Sequence, residues 1–236
     1  MQFVDLSYRK LKLIIMRNSI LIIALLLSTF LYPQNHSDTA DQMIDKMCSD
    51  LKQTEDLSDS LRIESINNKF ILPYLTQFSD SERQDKIDHL YFRFQKRCQY
   101  FRDYLQKTDP VKSDNWVRLN VRPNITISES EINKFKNNSE FYYLEYDGDK
   151  KTIVKTDNTF WIETFPNGTN SKLYYKWIGK NKFELEFIES NNNIKKNFSK
   201  KEDRYIYEII NKENNFYWIL LEAPNEIVKF KLFVGK

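Results

Sequence analysis

Glycine is nearly missing from this chain, at four residues in 236. So few leave no glycine-rich phosphate loop and no dinucleotide fingerprint. Histidine is scarcer still, with only His36 and His89. A serine or cysteine nucleophile therefore has almost no imidazole to pair with, and a histidine-based metal set cannot be assembled. The two cysteines, Cys48 and Cys98, form no C-x-x-C redox motif. An excess of one charge is lacking too. The formal +3 equals the surplus of Arg9, Lys10, Lys12 and Arg17 over Asp5 within residues 1–35. Beyond them stand 32 basic and 32 acidic residues, without the basic surplus of a nucleic-acid binder. These absences lead to the expectation of no catalytic residues, no metal, no cofactor and no nucleic-acid partner.

What is abundant is aromatic: 14 tyrosines, 17 phenylalanines and 4 tryptophans. That much buriable apolar surface offsets chain entropy in spite of the high charge content, so a folded protein is expected. Near the start, Ile20–Leu27 is an unbroken apolar run that continues loosely to Leu31. Basic residues precede it, and Pro33, Gln34 and Asn35 follow. This order reads as a secretory signal over residues 1–35, with Met16 as an alternative start. A span needs about 20 apolar residues, so no stable transmembrane segment is expected after processing. The predicted location is the periplasm, the outer envelope or the medium.

Residues 36–109 read as a three-helix segment. Met43, Met47 and Leu51 recur at helical spacing, and Leu61, Ile66 and Phe70 mark a second helix that Pro73 interrupts. Ser79-Asp80-Ser81-Glu82 is a capping box opening a third helix, with Leu90, Phe94, Cys98, Phe101 and Leu105 on its apolar face. Cys48 and Cys98 lie on apolar faces of different helices. In an oxidising compartment they are expected to pair, the alternative being two separate buried thiols. Arg93, Arg97 and Arg102 are interleaved with acids and read as a solvated face. A linker at 110–114 follows.

From 115 to 236 the period changes to two. Eight strands are expected: 141–146, 152–156, 159–165, 172–178, 182–189, 205–211, 216–222 and 227–234, with 116–121 as a ninth. The short turns between them, such as Pro166-Asn167-Gly168, suit antiparallel hairpins. Phe183, Leu185 and Phe187 alternate with Glu184 and Glu186, so those acids face water. The Lys195–Lys201 stretch reads as a long solvated loop. The fold class is therefore α+β: helices, then an antiparallel meander.

Strand count and short turns over 115–236 resemble the lipocalin or calycin architecture, an up-and-down barrel. Asp114-Asn115-Trp116 keeps the tryptophan of that family's opening motif but not its glycine. The Lys172–Glu189 hairpin, with Tyr175-Lys176-Trp177, also resembles β-meanders of uncharacterised exported proteins of Bacteroidetes-type bacteria. A barrel of this size implies a small apolar ligand. Trp161, Tyr175, Trp177, Phe183, Leu185, Phe187, Tyr207, Trp218 and Phe230 are the candidates to line it. The alternative is a cell-envelope interaction module in which these side chains simply fill the core, with an envelope protein as partner.

Overall fold

A computed structural model of the chain describes residues 39–110, 113–146, 148–223 and 226–235. The predicted signal peptide lies outside them. The helical part contains α1 (Thr39–Gln53), α2 (Asp59–Ile66), a π-helical turn (Asn67–Ile71), α3 (Leu72–Leu75), α4 (Asp80–Arg97) and α5 (Gln99–Thr108). Ser79 and Glu82 form the expected capping box at the start of α4. Pro73 does not break its helix. Its missing amide proton follows directly on the π-turn, and the wider turn lets the chain stay helical through α3. The third expected helix is instead two, because Cys98 adopts extended backbone between α4 and α5. Cys98 lies 2.10 Å from Cys48, sulfur to sulfur, as a disulfide. Ile44, Met47, Leu51, Ile66, Leu90, Phe94 and Phe101 form a second core around it.

The β part runs β1 (Trp116–Leu119), α6 (Glu129–Asn137), β2 (Glu140–Leu144), β3 (Lys151–Thr156), β4 (Phe160–Thr164), β5 (Asn170–Trp177), β6 (Lys182–Ser190), α7 (Asn193–Phe198), β7 (Arg204–Glu213), β8 (Phe216–Ala223) and β9 (Glu226–Val234). Strands β2 to β9 pair in order, each antiparallel to the next. The ring closes where Phe141 and Tyr142 of β2 meet Val234 and Phe233 of β9. The remaining edge of β9 is taken by β1, from Trp116 opposite Phe230 to Leu119 opposite Ile227. The indole of Trp116 then donates to the Leu144 carbonyl, tying β1 to β2 across the seam. The result is a closed eight-stranded antiparallel barrel, with β1 added along β9 beside the seam.

Two helices are additions to the expected pattern. α6 is capped by the Ser128 hydroxyl, which accepts from the Glu131 amide. α7 is capped by the Asn192 side chain, which accepts from the amides of Ile194 and Lys195. The Lys195–Lys201 stretch is thus not a solvated loop. Lys196 pairs with Asp85 of α4, and Lys200 pairs with Asp41 of α1. A short amphipathic turn packed on a neighbour hides from periodicity, because six residues are too few to show it.

The three arginines are likewise not one solvated face: Arg97 of α4 stays exposed against Asp45, but Arg93 of α4 and Arg102 of α5 do not. Arg93 and Asp41 are each 2% exposed. Arg93 donates through Nε and Nη2 to both carboxylate oxygens at 2.9–3.0 Å. Its Nη1 reaches the Phe198 carbonyl and Asp203, beyond α7. Arg102 pairs with Glu226 of β9 at 2.8 Å. The acids that look like i,i+4 surface partners in sequence are replaced by tertiary ones, which docks the helices onto the barrel.

Candidate functional site

The inward rows of the strands divide the barrel into two unequal halves. At one end α6 inserts Phe135, which is 1% exposed. Its ring lies 4.6 Å from Phe141 and 4.9 Å from Tyr217, centroid to centroid, and also touches Phe183 and Trp177. Trp161 continues the stack onto Phe141 and Phe183. The centre of this half is filled by its own side chains.

The opposite half is different in chemistry. β2 points Phe141, Tyr143 and Glu145 inward in succession, and β4 points Trp161, Glu163 and Phe165. The outermost pair, Glu145 and Phe165, wall a cavity of about 660 Å³ with Tyr146, Lys150, Asn167, Asn192 and Lys195. Glu145 also accepts a hydrogen bond from Thr152. One inward step deeper, Glu163 accepts from the Tyr143 hydroxyl at 3.3 Å and from the Trp161 indole at 3.4 Å. Burial pushes the Tyr143, Tyr205 and Tyr207 hydroxyls well above the usual phenol range, and the charge of Glu163 adds to each. These three tyrosines therefore stay protonated around the carboxylate. The Tyr207 hydroxyl has no hydrogen-bond partner among the described residues. Tyr205 and Tyr207 are only half-buried by surface, although they face the interior.

The helical part meets the barrel beside this half. Lys96 donates to Asp203 at 2.5 Å and to the Tyr205 hydroxyl at 2.7 Å. Tyr205 in turn shares a 2.5 Å hydrogen bond with Ser199. Burial lowers the affinity of Lys96 for its proton, partly opposed by Asp203. A serine, a tyrosine and a buried lysine in one chain of hydrogen bonds resemble the parts of a nucleophilic site. Asp203 keeps the lysine in an ion pair, and none of the cavities described here opens on Ser199.

A second cavity lies wholly among the helices. It measures about 790 Å³ and is floored by Met47, Ile66, Leu75, Leu90 and Phe94. Leu72, Ile87 and Tyr91 stand exposed at its rim, and Ser60, Glu64, Asn67 and Asn68 form a polar margin. Half of that margin comes from the π-turn.

Eight of the nine residues expected inside the barrel are there: Trp161, Tyr175, Trp177, Phe183, Leu185, Phe187, Tyr207 and Phe230. Trp218 is not. It lies on the outer face with Ile210, Phe216 and Leu220. It pairs opposite Lys231, and the Lys229 ammonium sits 4.0 Å from its ring centre. β8 is apolar on both faces, so alternation alone could not say which face turned inward. Its outer side is covered by β1 residues Val117 and Leu119 and by the 120–128 segment, which bonds to the Ile210 carbonyl through Thr126 and Ile127. Glu184 and Glu186 do face outward, each within reach of Arg204. Glu163, missed in sequence, stands between Trp161 and Phe165 in a strand whose inward row is otherwise aromatic. A lone acid in that row was the signal available.

No protein-family model matches the chain, and neither does any curated protein or solved structure. Among the described residues no group of three or more histidine, cysteine, aspartate or glutamate side chains is placed to hold a metal ion. No helix among them is long and apolar enough to cross a membrane.

Proposed function

We propose that the chain is an exported, non-catalytic binding protein that holds one small, largely apolar molecule in the open half of its barrel. The observation that carries this reading is the contrast between the two barrel ends. One is plugged at its centre by the Phe135 ring, stacked among Phe141, Phe183 and Tyr217. The other keeps Tyr205, Tyr207 and Glu163 half-buried on the inward rows, and at its mouth Glu145, Phe165 and Tyr146 help wall a cavity of about 660 Å³, within the roughly 300–1,000 Å³ of small-molecule sites. Export is supported by the apolar run Ile20–Leu27 and by the Cys48–Cys98 disulfide, a bond that persists in oxidising compartments.

Titration with N-phenyl-1-naphthylamine, a neutral apolar fluorophore, tests the proposal. Saturable binding should survive Leu72→Glu at the rim of the helical cavity. It should be lost in Glu145→Trp, which fills the mouth of the barrel. A probe that ignores Glu145→Trp contradicts the barrel site.

The helical cavity favours a second reading, an envelope interaction module. Its apolar floor and exposed Leu72, Ile87 and Tyr91 suit a partner's amphipathic helix. In-cell crosslinking from the α2–α4 face to one recurrent protein would support that reading.

A further inference from the structure

From the chemistry of the open half we infer that the ligand is an organic cation: an apolar body carrying an ammonium group that seats against Glu163. The inference rests on the barrel being the binding site. It begins with an electrostatic imbalance. Glu163 projects into the barrel between Trp161 and Phe165, and among the described residues no lysine or arginine forms an ion pair with it. Its partners are two neutral donors, the Tyr143 hydroxyl and the Trp161 indole, at 3.3 and 3.4 Å. Both contacts are long for hydrogen bonds to a carboxylate, which normally draws donors to about 2.7–2.9 Å. A half-buried carboxylate on the inward row, neutralised by nothing stronger, favours an incoming cation.

The walls point the same way. Trp161, Tyr143, Tyr205 and Tyr207 present aromatic surface around the carboxylate, with ring contacts running from Trp161 through Phe183 to Tyr207. Electron-rich faces arranged around an acid are the means by which proteins hold alkylammonium groups. The nearest cations of the site are elsewhere. Lys96 is consumed by Asp203 and the Tyr205 hydroxyl, on the helical side. Lys195 lies over the Phe165 ring at the rim, 5.4 Å from its centre, and Lys150 lines the same rim. The rim thus offers both signs, through Glu145, Asp109 and these lysines, whereas Glu163, one inward step further along β4, offers only negative charge. An anionic headgroup reaching Glu163 would be repelled.

The experiment compares three ten-carbon probes on the full-length protein by calorimetry below their micelle concentrations: decyltrimethylammonium, decanol and decanoate. The cationic probe should bind at least about tenfold more tightly than decanoate. Glu163→Gln should erase that preference while leaving decanol affinity unchanged. Glu184→Gln, on the outer face of β6, should leave all three alone. Equal affinities for cation and anion, or a preference that survives Glu163→Gln, would overturn the cation assignment and leave the barrel site standing. Failure of all three probes to bind would overturn the barrel site itself.

Discussion

Arg93 and Asp41 are 52 residues apart in sequence and meet as a two-pronged ion pair that water does not reach. Around them Lys200 and Asp203 bring in the chain beyond α7. Helices and barrel are thereby joined through buried charge as well as through apolar packing.

Truncating one partner strands the other in a dry site. Asp41→Ala should lower unfolding free energy by about 3–5 kcal/mol. Asp45→Ala, at an exposed pair with Arg97, should change it by less than about 1 kcal/mol. Urea denaturation of both variants measures the difference.

The same carboxyl sets an acid limit. Burial raises the Asp41 proton affinity, but hydrogen bonds from Lys200 and Arg93 outweigh it and hold the group below the usual aspartate range. A native value below the unfolded one means the stabilisation is complete above the ordinary aspartate pKa. It disappears as pH falls through the lower native value. Stability of the wild type should therefore drop more steeply than that of Asp41→Asn below about pH 4. Urea midpoints taken between neutral and acid pH give the two slopes.

The Cys48–Cys98 bond links residues 50 apart. Closing a loop of that size restricts the unfolded chain by about 4 kcal/mol. Reduction, or Cys48→Ser with Cys98→Ser, should loosen the helices first. Helical circular dichroism should then melt at lower denaturant than the tryptophan signal of the barrel.

Phe135 closes the packed end of the barrel from outside the meander. Phe135→Ala should cost about 3–5 kcal/mol, the range for emptying a large aromatic site. Removing the ring would open a void beside Phe141, Phe183 and Tyr217, so N-phenyl-1-naphthylamine should bind at a second site in this variant. Its stoichiometry, read from the fluorescence titration, checks the point.

The meander was legible because one-sided strands announce themselves. Phe183, Leu185 and Phe187 against Glu184 and Glu186 fix an inside and an outside, and short polar turns force antiparallel neighbours. Closure was not written in any one strand, since it depends on two residue pairs between β2 and β9. Trp218 was misplaced because both faces of β8 are apolar, and the outer one is covered by β1. Arg93 of α4 and Arg102 of α5 were misjudged for a related reason. Local acids supplied plausible partners, while the true ones, Asp41, Asp203 and Glu226, come from distant segments. The α6 helix carried a visible start, Ser128 three residues ahead of Glu131, the same pattern as Ser79 and Glu82. Only its brevity hid it.

The central claim is that the open half of the barrel is where a ligand sits. Side-chain NMR of the full-length protein, recorded with and without N-phenyl-1-naphthylamine, locates the bound molecule directly. Shifts at Tyr143, Trp161, Phe165 and Tyr207, with Leu72 and Leu90 unmoved, are the predicted result. Shifts confined to the helical cavity, or none at all, would contradict it.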